Sequence, residues 1–326
     1  MSERIGITTT VPPEIIYAAG KIPVDLNNIF ISSENRTEAI AAAELAGYPR
    51  TVCGWIKGIY GMVAHYRAVD TLIAVTEGDC SQTHALMETL DGQGINVVPF
   101  SFPFDRDESM LKRQMEKLAC ALGADWVEVL RQRERLNAVR RHVWELDRMT
   151  WEDGLVTGEE NHYYQISCSD FEGNPEAFAA RAREFIREAR SRQPFARAPR
   201  IGFIGVPPII DGIHSFAEAF GVRVVFNEVQ RQFSLPYPES GFLEAYLRYT
   251  YPYHVKMRVE DIRREIERRR IDGIIHYTQG FCFRQIEDII FRRELGVPIL
   301  SLEGDAPGPV DARTAMRIET FLSMLK

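Results

Sequence analysis

Short apolar runs alternate with helical stretches along the first hundred residues. Runs rich in Ile, Val and Leu that end at Gly, Pro or Asp predict buried strands, whereas apolar residues three or four positions apart predict helices. The pattern predicts strands at 22–26, 71–76 and 95–100, and helices at 12–20, 37–46, 54–66 and 84–90. This alternation is typical of a parallel α/β sheet, whose crossover connections are right-handed.

A helical pattern then occupies residues 107–148 and returns at 175–192, and the residues between, 151–171, are rich in turn formers and aromatics. A second alternating region follows a linker at 193–199. It predicts strands at 200–205, 222–227, 271–275 and 298–302, helices at 212–220, 259–270, 284–295 and 314–325, and an inserted loop with a helical turn at 233–253. We predict an N-terminal α/β domain at 1–125, a helical connector at 126–198 and a C-terminal α/β domain at 199–326.

Composition and charge narrow the class of protein. The 326 residues carry a formal charge of −7, which argues against nonspecific nucleic-acid binding. Two basic clusters, 131–141 and 263–270, have helical spacing with interleaved Glu and predict solvated helix faces. The chain has no apolar run of about 18 residues and no basic n-region before an apolar h-region, so we expect no membrane span, no secretory signal and a cytoplasmic location.

Three of the five cysteines share a local context. Cys53, Cys80 and Cys282 are predicted to occupy equivalent strand-to-helix turns, which is where open α/β sheets place ligands. Backbone N–H groups at a helix start favour the thiolate, and a set of thiolates favours an iron–sulfur cluster or zinc. The competing interpretation is that all three are small buried hydrophobes, because no compact CxxC motif is present. The odd number and wide spacing of cysteines suit a reducing compartment.

Several stretches around these cysteines resemble the 2-hydroxyacyl-CoA dehydratase family, whose relatives include the benzoyl-CoA reductase subunits and the double-cubane cluster proteins. The stretches are VPPEIIYAAGKIPV at 11–24, CGWIKG at 53–58, EGDC at 77–80, GFC at 280–282 and GVPILSLEGD at 296–305, with Arg313 and Arg317 beyond. The likeness runs nearly from end to end of the chain.

The resemblance implies two Rossmann-like domains with a [4Fe-4S] cluster held between them by Cys53, Cys80 and Cys282. One iron then lacks a protein thiolate and can act as a Lewis acid, while the cluster relays single electrons. In such oxygen-sensitive enzymes a separate ATP-hydrolysing iron–sulfur activator supplies one low-potential electron, and the acyl-CoA thioester becomes a ketyl radical that loses its hydroxyl. This chain has no G-x-x-x-x-G-K-[ST] phosphate loop, which is consistent with a separate activator.

Two features depart from the family. The chain is shorter than expected of a dehydratase subunit, and its five cysteines are one too few for a double-cubane cluster. Cys120 lies within an apolar helical stretch and is expected in the core. Cys168, in a Ser-Cys-Ser-Asp segment, is the better candidate for a spare ligand.

Polar residues near the three cysteines are further candidates. Glu77, Asp79 and His84 could donate or accept protons near the open iron, although Asp79 could instead cap the helix. Lys57 and Arg284 each follow a cysteine closely and could offset the charge of the cluster or bind a substrate anion; an exposed helix charge is the alternative. His276 is expected to be a hydrogen-bonded residue at the edge of the site rather than a ligand.

Three functional hypotheses follow from these residues. The leading one is a [4Fe-4S] lyase or related low-potential reductase that acts on an acyl-CoA thioester, paired with itself or a homologous subunit. The second keeps the cluster but assigns a non-CoA small molecule, as a reductase or sulfur-handling enzyme would use. The third is an electron-transfer or structural subunit without chemistry of its own.

Overall fold

The computed structural model describes residues 2–325. The first half of the chain contains β1 (Arg4–Ile7), α1 (Pro13–Ala18), β2 (Ile22–Asp25), α2 (Leu26–Ile31), α3 (Arg36–Leu45), α4 (Gly54–Tyr60), β3 (Thr71–Glu77), α5 (Thr83–Asp91), β4 (Asn96–Ser101), α6 (Glu108–Leu122) and α7 (Trp126–Arg148). The second half contains α8 (Gly158–Ile166), α9 (Pro175–Arg190), β5 (Arg200–Gly205), β6 (Ile210–Asp211), α10 (Ile213–Ala219), β7 (Arg223–Asn227), α11 (Glu228–Phe233), α12 (Phe242–Arg248), α13 (Val255–Arg269), β8 (Gly273–Gln279), α14 (Asp288–Glu294), β9 (Ile299–Gly304), β10 (Gly308–Pro309) and α15 (Ala312–Ser323).

The predicted α/β class with parallel sheets is confirmed. One sheet has the strand order β2-β1-β3-β4 and the other has β7-β5-β8-β9, and all of their neighbouring strands run parallel. In each sheet the first strand in sequence lies between the second and the third. A separate two-stranded sheet joins β6 and β10.

The chain divides into two compact units. Unit 1 comprises the chain up to Arg141, Ser167–Ala179 and Leu235–His254, and unit 2 comprises His142–Ile166, Ala180–Ser234 and the chain from Val255 onward. Each unit contains one four-stranded sheet and its own apolar core. The division into domains 1–125, 126–198 and 199–326 stays a prediction, because it concerns which parts of the chain fold independently.

The elements that were missed in the sequence include β1, α2 and α8. β1 is only four residues long, so its apolar pattern is too short to predict a strand. In α2, Asp25 caps the helix by accepting a hydrogen bond from the N–H of Asn27 at 2.9 Å. The region 151–171, for which no individual helix was predicted, contains α8. Thr157 and Glu160 form a reciprocal capping box at its start, with N–H to oxygen distances of 2.9 and 3.2 Å, and this signal was available in the sequence.

The predicted long helical region is confirmed but is divided at Gly123, which ends α6 in a left-handed conformation with φ +75°. The placement of Cys120 in the core is wrong, because this residue is exposed. The helix α6 buries Leu111, Met115, Leu118 and Leu122, a stripe with helical spacing, and Cys120 falls outside it.

The expectation that both basic clusters are solvated helix faces is right for the exposed Arg131, Arg264 and Arg268 but wrong for three other arginines. Arg133 and Arg140 of the first cluster are buried, as is Arg269 of the second. Arg140 donates to Glu14 at 2.7 Å, and Arg269 donates to Asp147 at 2.6 Å. An arginine among interleaved Glu residues is solvent-exposed only when no carboxylate from a distant part of the chain accepts a hydrogen bond from its guanidinium group. Sequence spacing does not reveal such a partner.

The segment 233–253, predicted to be an inserted loop with a helical turn, contains α12 and is buried over most of its aromatic residues. Its residues from Leu235 to His254 belong to unit 1. Within residues 2–325, no helix has both the length and the apolar character needed to cross a bilayer.

A buried pair of carboxyl groups makes unit 1 sensitive to pH. The backbone N–H of Asp25 donates to Asp170 at 2.7 Å, and burial together with the charge of Asp25 raises the pKa of Asp170 to about 7. Between about pH 4 and 7 the folded protein therefore keeps a proton that the unfolded chain releases. We expect the free energy of unfolding to fall as pH rises through this window, by up to about 1.4 kcal/mol per pH unit, and to level off above it.

Denaturant unfolding of the wild type and Asp170→Asn over a series of pH values would check this expectation. The neutral amide has no proton to release in this range, so the variant should show a flatter dependence. Equal slopes for the two proteins would show that other groups control the pH dependence.

Candidate functional site

Two of the three predicted cysteines lie at equivalent places in the two sheets. Cys80 follows β3 and Cys282 follows β8, and each of these strands is the third in its sheet and pairs with the first. The order of strands changes direction between the first and third strands, and open parallel sheets bind ligands outside the carboxyl ends of such strands. The topology therefore supports a ligand role for both residues within their own units.

The turn before Cys80 depends on a glycine. Gly78 has φ +95°, and a Cβ atom at this position would lie 2.6 Å from the Cβ of Pro252 and 2.9 Å from the Cβ of Phe102. The segment 250–252 thus packs directly on the turn. Its Tyr251 hydroxyl donates to Asp79 at 3.4 Å, and half-buried Cys80 begins the turn that leads into α5. Tyr251 and Pro252 were not predicted, because they lie some 170 residues further along the chain.

The interpretation of Cys53 as a strand-to-helix residue is wrong. It follows α3 and caps the start of α4, so it lies in a helix-to-helix turn. No strand forms there because Gly47, at φ +108°, and Pro49 lead the chain through turns instead. Cys53 and Cys80 are both half-buried, and both pack against the same apolar core of unit 1.

Cys282 lies in a tight turn. Its N–H donates to the carbonyl of Gln279 at 3.1 Å, and Phe281 within the turn has φ +60°. Burial raises the pKa of the Cys282 thiol, and the backbone N–H and positive charge of Arg284 offset this only in part. The expected bias of a helix-start cysteine toward the thiolate is therefore wrong here, because burial, with the negative charge of Glu287, outweighs the backbone hydrogen bonds from Arg284 and Gln279 at the short 3₁₀ turn Phe283–Gln285.

Lys57 and Arg284 are buried rather than exposed helix charges. The Lys57 ammonium donates to Glu44 at 2.7 Å and to the carbonyl of Arg50 at 3.1 Å. Arg284 donates to Glu287 at 3.2 Å and lies next to Cys282. The structure thus brings Arg284 to a cysteine and brings Lys57 to a carboxylate.

The three candidate acid–base residues differ in surroundings. Asp79 is half-buried and contacts Tyr251, whereas Glu77 and His84 are exposed. The carbonyl of Glu77 accepts from the N–H of Phe102 at 3.0 Å, which fixes the backbone at the end of β3. Of the three, Asp79 has the most restrained position.

His276 is held by hydrogen bonds, as expected. It is buried in β8, and its Nδ1 lies 2.9 Å from a carboxylate oxygen of Asp288. Ser301 donates to the same carboxylate oxygen at 2.7 Å. These contacts orient the ring, so His276 serves the packing of β8 against β9 and α14.

The two remaining cysteines differ from what the sequence indicates. Cys168, the expected spare ligand, is fully buried, and burial raises the pKa of its thiol to about 12. A sulfur with no exposed surface is out of reach of a ligand, in contrast to the half-buried Cys282. Cys120 is exposed on α6.

The chemistry of Cys53, Cys80 and Cys282 suits an iron–sulfur cluster. All three cysteines are half-buried in turns that precede helices. Each sulfur can therefore bind a ligand at the surface of its own unit while the rest of the turn stays packed. Among the side chains of residues 2–325, no three from His, Cys, Asp or Glu converge with the geometry of a metal site. Convergence of the three thiols stays a prediction.

Comparison with known proteins identifies the family. The model of the 2-hydroxyglutaryl-CoA dehydratase D-component family matches residues 8–325. No curated protein matches the chain. The match includes all of the motifs on which the resemblance rests, and β1 lies just before it. The chain therefore belongs to the 2-hydroxyglutaryl-CoA dehydratase D-component family.

Proposed function

We propose that this protein is a [4Fe-4S] component of a 2-hydroxyacyl-CoA dehydratase-type enzyme, and that Cys53, Cys80 and Cys282 are the protein ligands of the cluster. The observation that carries the proposal is the equivalent position of Cys80 and Cys282 at the carboxyl ends of two sheets with the same strand order. The family supports the reaction class. The shared strand order also supports our proposal that each sheet and its helices form a Rossmann-like domain.

The proposed cluster supplies a one-electron relay and a Lewis-acidic iron that no protein thiolate holds. The chain's own residues perform the remaining tasks. Gly78 allows close packing of the turn before Cys80, and Tyr251 holds Asp79 beside it. The charge of Arg284 lies near the Cys282 sulfur and offsets negative charge there. Asp79 is our choice for the residue that exchanges a proton with substrate, with Glu77 and His84 as exposed alternatives.

The proposed substrate is an acyl-CoA thioester, converted by ketyl-radical dehydration or by reduction. A separate ATP-dependent iron–sulfur activator would supply the electron, and a second copy or a homologous subunit would complete the enzyme. The family description of the chain as one component of a dehydratase supports a multi-component enzyme. The absence of a G-x-x-x-x-G-K-[ST] sequence supports ATP hydrolysis on another protein.

Metal analysis of protein purified without oxygen tests the ligand set. We expect about four irons and four acid-labile sulfides per wild-type chain, and a substantial loss of both in Cys53→Ala, Cys80→Ala and Cys282→Ala. Cys120→Ala is the matched control, because this exposed cysteine lies outside the proposed site and should leave the iron content unchanged. Unchanged iron and spectrum in Cys80→Ala would refute the proposal.

Substrate class is tested separately by titration. Saturable binding of acyl-CoA thioesters to the iron-loaded chain, with turnover after addition of activator, ATP and reductant, is the expected result. Iron-loaded protein that binds no CoA thioester would favour a small-molecule reductase or sulfur-handling enzyme. Activity that appears only when a partner chain is added would favour an electron-transfer or structural subunit.

A further inference from the structure

A buried row of alternating charges runs through unit 2 and ends beside Cys282. The row consists of Glu228, Arg258, Glu287 and Arg284. Arg258 forms a forked pair with Glu228, with nitrogen to oxygen distances of 2.6 and 2.8 Å, and its remaining terminal nitrogen binds Glu287. Glu287 in turn accepts from Arg284 at 3.2 Å. Glu228, Arg258 and Arg284 are each less than 5% exposed.

The row has a fixed anchor at its other end. The N–H of Gly205, at the end of β5, donates to Glu228 at 2.9 Å. The strand β5 is the first of its sheet and pairs directly with β8, which leads to Cys282. A carbon atom in place of the missing side chain of Gly205 would collide with the backbone of Tyr277 in β8. The row therefore connects the paired carboxyl ends of β5 and β8 with the turn that follows β8.

Stability alone is a weak explanation for this row. It contains two positive and two negative groups, and replacing buried ion pairs by apolar side chains of similar volume is often neutral or stabilising. A forked guanidinium–carboxylate contact does, however, fix both distance and orientation. A buried row of such contacts is thus better suited to holding a backbone in place than to strengthening the core.

The turn at Cys282 requires such a restraint. Phe281 adopts φ +60°, a conformation that is strained for a residue with a side chain and persists only where the surroundings impose it. The side chain of Phe281 is 75% exposed, so its own packing supplies little of this restraint. The backbone N–H of Arg284, two residues after Cys282, donates to the cysteine sulfur.

We propose that Glu287 and Arg258 are positioning residues for Cys282. By fixing the side chain of Arg284, they hold its backbone N–H and its guanidinium group toward the sulfur and keep the turn at Phe281 in its strained form. The inference deepens the proposed function, since it assigns to these residues the orientation of one cluster ligand. It concerns residues that do not themselves contact the cluster.

The test uses Glu287→Gln and Arg258→Lys in the full chain, with Glu265→Gln as the matched control. Glu265 is a buried carboxylate of unit 2 that pairs with buried Arg269 at 2.5 Å, but it does not belong to the row. Reduced, iron-free protein is alkylated with iodoacetamide under native conditions, and peptide mapping gives the rate at each cysteine. Arg258→Lys keeps every charge of the row, so a changed alkylation rate at Cys282 in this variant reports the geometry of the turn rather than its charge. Both row variants should change the rate at Cys282 without changing Cys80, and Glu265→Gln should change neither.

Iron-loaded protein gives a second measurement. Loss of a residue that orients a metal ligand typically weakens metal binding about 10- to 100-fold, so iron should be lost to a chelator at least about tenfold faster from Glu287→Gln than from Glu265→Gln. Thermal unfolding of each variant shows that the proteins are folded at the temperature of the assays. Identical behaviour of row and control variants at Cys282 would refute the positioning role. Wild-type protein that takes up no iron would refute the proposed function, while the alkylation rates would still decide the positioning claim.

Discussion

Replacement of Arg140 by methionine is expected to lower the free energy of unfolding by about 3–5 kcal/mol. Arg140 is 1% exposed and donates to Glu14, which is fully buried and also accepts from the Tyr246 hydroxyl at 2.8 Å. The variant leaves the Glu14 carboxylate in the core with Arg133, 4.0 Å away, as its nearest remaining cation. An uncompensated buried charge is among the most destabilising changes that a single substitution can cause.

A double-mutant cycle in denaturant separates the lost contact from the stranded charge. Arg140→Met combined with Glu14→Leu removes both charges, so its cost should be well below the sum of the two single costs. Arg131→Ala is the exposed control on the same helix, where the pair with Glu128 should contribute less than about 1 kcal/mol. Additive costs of the two core substitutions would contradict the view that charge pairing dominates here.

The same pair predicts a change with pH. Burial alone would raise the pKa of Glu14, but the charges of Arg140 and Arg133 and the hydrogen bond from Arg140 outweigh it and lower the pKa. A carboxylate with a lowered pKa stabilises the fold above its unfolded pKa, and this contribution is lost as pH falls through the folded pKa. In Arg140→Met the carboxyl group can take up a proton more readily, so the difference in stability from the wild type should shrink in acid.

The buried arginines show where sequence patterns stop being informative. The apolar runs at 71–76 and 200–205 predict β3 and β5 correctly, because a buried strand is encoded by its own residues. Burial of Arg140 depends instead on Glu14, 126 positions earlier in the chain, and no local spacing contains that information. A run of Arg with interleaved Glu is compatible with both outcomes.

In the candidate site, too, local features could be predicted from the sequence and long-range contacts could not. The positions of Cys80 and Cys282 after strands were predictable, because a strand, a turn and a helix start are consecutive in the sequence. The prediction that Cys53 follows a strand was wrong, because the residues before it form turns between α3 and α4. The contacts that restrain these cysteines, from Tyr251 to Asp79 and from Arg258 to Glu287, join distant segments and became visible only in the fold.

Gly78→Ala is expected to have the second large effect, lowering the free energy of unfolding by about 2–5 kcal/mol and reducing iron content. The positive φ of +95° costs a residue with a Cβ atom about 1–2 kcal/mol, and the new carbon would lie within 3 Å of both Pro252 and Phe102, which adds about 1–3 kcal/mol of overpacking. Relief of this contact must move either the segment 250–252 or the turn that carries Cys80. Displacement of the turn that carries Cys80, a proposed ligand, should lower iron content even in the fraction that remains folded.

Gly94→Ala is the control that separates backbone strain from collision. Gly94 also has a positive φ, +74°, but nothing lies within 4 Å of the position that its Cβ would occupy. It should therefore lose only about 1–2 kcal/mol and keep its iron. Denaturant unfolding and metal analysis of the two variants, purified in parallel without oxygen, give both quantities. Equal stability losses would show that packing of Pro252 on the turn is unimportant, and full iron content in Gly78→Ala would show that this turn does not position a cluster ligand.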